Sequence, residues 1–290
     1  MNKYYGIDVG GTSVKLGLFS ATELLAKWEI PTDTSEGGKN ILPDIARSLR
    51  DEAVGAAIGV PGAVLPDGTV NRCVNLGWPV CRPSDEFTAL TGLPCRMTND
   101  ADAAALGEAW YGVGRGYHSI LLVTLGTGVG GGLVQNGVLL NGGHGAAGEL
   151  GHIPVEPAET ETCNCGHRGC LEQYASATGI ARLARLAGLG ELTAKDVFER
   201  AARGDEACAA VADRACDYLG RGLAAACATF DPEAVILGGG VAKAGETLRA
   251  RVEDAFRRYA FHACRETRVL LATLGNDAGI YGCARLAMGG

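Results

Sequence analysis

The residues best suited to chemistry gather at three glycine-dense points, one strand end and one cysteine cluster. Asp8-Val9-Gly10-Gly11-Thr12 places a carboxylate just ahead of a glycine turn. Glycines expose backbone N–H groups and let a polyphosphate come close to them. Thr12 adds a hydroxyl donor. Asp8 is placed to hold a hydrated Mg2+, which keeps several waters and takes one or two carboxylates. Gly126-Thr127-Gly128-Val129-Gly130 offers the same chemistry again, and Gly238-Gly239-Gly240 follows the apolar run Ala234-Val235-Ile236-Leu237. The end of a buried strand is a common nucleotide position in an α/β sheet. Any one of these turns alone reads more readily as a tight hairpin without a ligand. Three of them, two with the order strand–glycine–threonine–strand, favour phosphate. G-x-x-x-x-G-K-[ST] is absent and the turns lead into strands, so this is neither a P-loop nor a dinucleotide fingerprint.

Asn99-Asp100 stands where a short β-rich run meets an alanine-rich helix. A carboxylate there can project into a cleft and accept a proton from a hydroxyl. It can equally cap the helix, and Asp102 is a second carboxylate two residues on. Cys163-x-Cys165-x4-Cys170, with His152 eleven residues ahead, supplies three thiolates and an imidazole. That set suits tetrahedral Zn2+ and leaves no open position, so the metal would be structural. His167 is the rival imidazole, and the metal-free alternative is three buried thiols beside a surface histidine. The other eight of the eleven cysteines are scattered and read as small buried hydrophobes. His118, His144 and His262 read as ordinary surface or turn residues.

These positions require an alternation of strands and helices. Residues 4–9 and 13–19 are β-rich and flank the first glycine turn, with a third strand near 24–30. Helical spacing covers 39–52, followed by a strand at 54–60 and a short helix at 84–91 with Ser84 as its N-cap. A strand at 95–98 runs into the helix 101–112. From 119 the strand–turn–strand unit recurs, at 119–125 and 130–135. Beyond Glu172 helices dominate, at 173–187, 194–203 and 205–229, the last capped by Asp205. The strand 234–237, a helix near 243–259, a strand near 268–272 and a helix at 278–288 close the chain. The alternation predicts an α/β fold. The repeat predicts two lobes, one over 1–115 completed by the helix 278–290, the other over 116–277.

The chain has 290 residues, enough for two cores at 47% hydrophobic and 20% charged. A net charge of −7 disfavours a nucleic-acid partner. The first residues enter a strand directly without a secretory pattern, and the most apolar stretch, 120–134, is broken by glycines and does not read as a membrane span. The odd cysteine count in this setting argues against a disulfide framework and for a cytoplasmic protein.

Ile7-Asp8-Val9-Gly10-Gly11-Thr12 with Leu125-Gly126-Thr127-Gly128-Val129-Gly130 resembles the actin–hexokinase ATPase superfamily. Within it, Asn99-Asp100-Ala101-Asp102-Ala103, Glu149-Leu150-Gly151-His152, the run from Cys163 through Cys170 to Glu172, and Gly275-Asn276-Asp277-Ala278-Gly279 resemble the ROK family (repressors, open reading frames and kinases). The resemblance covers residues 5 to about 284. It implies two actin-like, ribonuclease H-like α/β lobes with a cleft, and a homodimer. It implies ATP and Mg2+ at Asp8, Gly10, Gly11, Thr12, Lys15, Gly126, Thr127, Gly128, Gly239 and Gly240. It implies a hexose at Asn75, Asn99, Glu149, His152 and Glu172, with the Pro61-Gly62-Ala63 turn lending backbone groups. Asp100 would be the base, although Asp102 stands where many relatives have Asn. His152 would serve both zinc and sugar, one ring nitrogen to each. The cysteine motif and Asn75-Leu76-Gly77-Trp78 look most like glucokinases, so glucose to glucose 6-phosphate is the expected reaction. N-acetylglucosamine, N-acetylmannosamine, mannose and allose are alternatives. Sugar-responsive repressors of the family carry an N-terminal helix-turn-helix; here a strand begins near residue 4.

Overall fold

The computed structural model describes residues 2–289. Ten strands and nine α-helices are found among them. Among the described residues two compact units form: 2–118 with 132–147 and 274–289, and 119–131 with 148–273.

The first unit is built on the sheet order β3-β2-β1-β4-β5. Strands β1 (Tyr4–Val9), β2 (Ser13–Phe19) and β3 (Leu24–Pro31) form an antiparallel meander. Strands β4 (Gly55–Val60) and β5 (Cys95–Asn99) continue it in parallel on the other side of β1. Helix α1 (Ile41–Ser48) sends Ile41, Leu42 and Ile45 into a core with Ile7, Leu16, Ile58 and Phe87. It is shorter than the spacing over 39–52 suggests, because Leu49 takes extended backbone. In α2 (Pro83–Thr91) the proline occupies the first turn and Arg82 precedes it, so Ser84 lies buried inside the helix and does not cap it.

Helix α3 (Asp100–Trp110) packs on the C-terminal helix α9 (Ala278–Ala287), which also lies against β1 and β4. Glycine sets how closely they approach. A Cβ on Gly282 would stand 1.6 Å from the Ala103 carbonyl oxygen, and one on Gly107 would stand 2.2 Å from that of Ala278.

The second sheet has the order β10-β9-β6-β7-β8. Its strands are β6 (Ser119–Leu125), β7 (Val129–Gln135), β8 (Val138–Leu139), β9 (Ala234–Gly238) and β10 (Arg268–Leu271). Strand β9 pairs in parallel with both β6 and β10 and is buried throughout. The segment 173–187 is two helices, α4 (Glu172–Ala175) and α5 (Ala177–Leu186), because Ser176 takes extended backbone between them. Helix α6 (Ala194–Ala202) opens with a Thr193–Asp196 capping box, and α7 (Glu206–Phe230) is capped by Asp205. Helix α8 (Glu246–Tyr259) starts only after a 3-10 turn, Val241–Ala244, and Gly245 at φ 65°. Among the described residues no helix is long and apolar enough to cross a membrane.

Gly282→Ala should therefore push α3 and α9 apart and destabilise the chain by roughly 2 kcal/mol or more. A lowered urea midpoint is the expected result. An unchanged midpoint would show that the helices do not depend on this contact.

Candidate active site

Asp100 is the first residue of α3, and the cap before it is Asn99. The Asn99 Oδ1 accepts from the Ala101 N–H at 2.8 Å and the Asp102 N–H at 3.4 Å. Its Nδ2 donates to the Gly62 carbonyl at 3.1 Å, which ties the helix start to the Pro61-Gly62 turn. Asn99 is thus the cap, and the Asp100 Oδ1 shares the Ala101 N–H at 2.8 Å. The two acidic residues also separate: Asp102 is 5% exposed, whereas Asp100 is exposed.

Asp8 lies at the end of β1 with its carboxylate against the start of α9. A Cβ on Gly279 would meet the Asp8 Oδ2 at 2.7 Å. Burial, and then the negative charge of Asp100, push the Asp8 carboxyl up to about 6, against the opposing pull of Lys15. Lys15 donates from Nζ to the Asn276 carbonyl at 3.0 Å. Glu108, fully buried, holds this corner from behind. Its carboxylate accepts the Leu274 N–H at 2.7 Å and the Val113 N–H at 3.0 Å.

Asn75 sits in a 3-10 turn, Val74–Leu76, and is exposed. The loop around it is anchored by Cys73, whose Sγ donates to the Pro61 carbonyl at 3.3 Å, and by Trp78, whose Nε1 donates to the Gly38 carbonyl at 3.1 Å. Asn99, the Pro61-Gly62 turn and the Asn75 loop therefore share one corner of the first unit.

In the second unit the four metal candidates converge. Donor atoms of His152, Cys163, Cys165 and Cys170 all lie within 4.8 Å of one another. The Cys165 and Cys170 sulfurs are 3.5 Å apart, and Cys163 Sγ is 4.0 Å from His152 Nδ1. Zn–S bonds of about 2.3 Å and Zn–N bonds of about 2.0–2.1 Å put tetrahedral ligand atoms roughly 3.5–3.8 Å apart. The donor set therefore fits a closed tetrahedral metal. His167 is not in the set; its carbonyl accepts the Cys163 N–H at 2.7 Å.

Glu172 adjoins this cluster. Its Oε1 accepts from Cys163 Sγ at 2.9 Å and lies 3.9 Å from His152 Nδ1. Burial, and then this carboxylate, hold the Cys163 thiol above its usual range. On the other edge of the ring, His152 Nε2 is 3.9 Å from Glu149. The three candidate sugar ligands Glu149, His152 and Glu172 thus stand in a row.

The glycine turns are left open by the protein. A Cβ on Gly11, Gly126 or Gly240 would meet nothing within 4 Å, and none of the three has positive φ. Neither packing nor backbone conformation demands glycine there, so what these residues preserve is room above the amides. Gly239 differs: it has φ 84°, and its Cβ would be 2.6 Å from the Leu125 carbonyl oxygen, so it brings the third turn beside the second.

The ROK family's sequence profile matches residues 4–289. The chain belongs to the ROK family. It is 43% identical over 306 residues to a glucokinase of Halalkalibacterium halodurans, covering 96% of this chain and 93% of that one. It is 32% identical to an N-acetyl-D-glucosamine kinase of Yersinia pseudotuberculosis, covering 98% of each. Among solved structures, a ROK family glucokinase from Streptomyces griseus in complex with glucose and AMPPNP is similar with a TM-score of 0.82 and 32% identity, covering 100% of both chains. The actin-like fold with two α/β sheets is that of these ROK kinases.

Four residues of this ROK chain that hold the candidate site in place escape sequence reading. Glu108, Thr32, Ser176 and Thr178 lie outside the recognisable motifs or at their edges, and each acts through hydrogen bonds to backbone.

The elevated Asp8 pKa has a stability consequence. A carboxyl held above its unfolded value contributes stability below pH 4 that is lost as pH rises through 6. Asp8→Asn should accordingly raise the melting temperature at pH 8 without divalent metal, by at most about 3 kcal/mol of stability. The gain should shrink as pH falls from 6 toward 4. A variant that melts no higher than the native chain at pH 8 would contradict this electrostatic picture.

Proposed function

We propose that this ROK-family chain is an ATP-dependent hexose kinase that converts glucose to glucose 6-phosphate, with Asp100 as general base. The observation that carries the reading is Asp100 itself, exposed at the start of α3 and close enough to Asp8 to raise its pKa. Phosphoryl transfer needs positioning, charge neutralisation and a proton acceptor, and little else from the protein.

Asp100 takes the proton as the sugar hydroxyl oxygen bonds to the γ-phosphorus and the bond to the ADP oxygen breaks. Open amides of the glycine turns hold the phosphates, with Thr12, Thr127 and Lys15 as side-chain donors. Asp8 would hold magnesium, which supplies charge neutralisation at the phosphate oxygens. Asn75, Asn99, Glu149, His152 and Glu172 bind sugar hydroxyls. His152, Cys163, Cys165 and Cys170 would hold zinc, which supplies a closed structural cross-link. Zinc on Cys163 would leave no thiol proton for Glu172, whose carboxylate would then be available to a sugar hydroxyl.

The relatives support a sugar kinase. They divide between glucose and N-acetylglucosamine, so phosphorylation of an N-acetylhexosamine is the second reading. The family resemblance adds a cytoplasmic homodimer, which light scattering would detect as twice the chain mass.

Asp100→Asn should lower kcat with glucose by at least about 100-fold, on the scale of general-base catalysis, while Asp102→Asn stays within a few-fold of the native chain. The reverse pattern would move the base to Asp102. Purified protein should contain one zinc per chain, and chelation should lower its melting temperature. A metal content well below one would defeat the zinc assignment.

A further inference from the structure

The two threonine-containing glycine turns are held from behind in the same way. In the first, the Thr32 hydroxyl donates to the Gly10 carbonyl at 2.7 Å, and the Thr32 N–H donates to the Thr12 carbonyl at 3.0 Å. In the second, the Thr178 hydroxyl donates to the Thr127 carbonyl at 2.7 Å, and the Ala177 N–H donates to the Gly126 carbonyl at 2.8 Å. Each turn has two carbonyls tied down, one by a threonine hydroxyl and one by a backbone amide. The threonines belong to later segments of the chain, so neither pattern is local turn chemistry.

The consequence follows from the planar trans peptide, in which C=O and N–H point in opposite directions. Tying the Gly10 carbonyl orients the Gly11 N–H. Tying those of Gly126 and Thr127 orients the N–H groups of Thr127 and Gly128. These three amides donate to no protein acceptor among the described residues. They are therefore donors fixed in direction and left for a ligand.

We propose that Thr32 and Thr178 are positioning residues for phosphoryl transfer, each locking one glycine turn so that its free amides face the polyphosphate of ATP. The proposal rests on the kinase reading above. Thr178 has a further connection. Its hydroxyl is 2.9 Å from that of Ser176, which is fully buried and lies 2.6 Å from the Glu172 carbonyl. A Cβ on Gly128 would meet the Glu172 carboxylate at 2.8 Å. The segment 172–178 thus carries a sugar-binding carboxylate at one end and a phosphate-turn lock at the other.

The test compares Thr32→Val and Thr178→Val, which keep the shape and lose the hydroxyl, with Thr32→Ser and Thr178→Ser, which keep the hydroxyl. Steady-state kinetics with Mg·ATP and glucose are measured with the dissociation constant of AMP-PNP. Each lock orients amides whose bonds to phosphate are charge-assisted, so each valine variant should raise the KM for ATP and the AMP-PNP constant roughly 10-fold or more. The KM for glucose should change by no more than about 3-fold, whereas general structural damage would move both. The serine variants should return to within about 3-fold of the native values. Should a valine chain melt too low to assay, alanine at that position carries the same comparison. A native chain that binds AMP-PNP and turns over, with valine variants indistinguishable from it, would overturn the locking role and leave the kinase reading intact. A native chain that neither binds AMP-PNP nor consumes ATP would overturn both.

Discussion

Two carboxylates that repel each other are held in one corner of the first unit. Asp8 is buried against the start of α9, and Asp100 opens α3 nearby; burial first, and then the charge of Asp100, disfavour an ionised Asp8. The fold maintains this arrangement through contacts that are strong and local. Glycine lets α3 and α9 approach at backbone distance, Glu108 ties the segment before α9 to the end of α3, and Lys15 reaches the same segment. The stored repulsion is relieved by positive charge. A site that expects a metal–nucleotide complex and a proton from a sugar hydroxyl is one in which such an arrangement has a use.

The second unit solves a different problem. Sugar and phosphate recognition need polar groups aimed in fixed directions, and most of them lie on loops. Here the loop from His152 to Glu172 is gathered by four metal-type donors, and the break at Ser176 lets α4 and α5 tie the second glycine turn. Loops carrying function on rigid supports are common, and the supports in this unit are a donor cluster and the Thr178 hydroxyl.

Much of this was legible in the residues. The glycine turns, the strand–turn–strand repeat and the Cys/His cluster are contiguous patterns whose chemistry follows from spacing, and the meander and β9 follow from apolar runs. Asp100 was ambiguous because a strand-end aspartate before a helix reads equally as cap and as base. The structure puts the Asn99 side chain in the cap position, with Asp100 sharing the Ala101 N–H. The burial of Asp102 is likewise a tertiary fact. Ser84 and the helix over 173–187 misled because local propensity does not register that Pro83 takes the first turn or that Ser176 leaves helical backbone. Glu108, Thr32 and Thr178 carry no signal, since each matters through hydrogen bonds to backbone distant in the sequence.

The central claim is transfer of a phosphoryl group from ATP to glucose, and ATP consumption coupled to a panel of sugars measures it directly. The panel is glucose, mannose, allose, N-acetylglucosamine and N-acetylmannosamine. Sugar-dependent consumption with the highest kcat/KM for glucose is the expected result. Consumption with no sugar on the panel, or an N-acetylated sugar ranked above glucose, would contradict it.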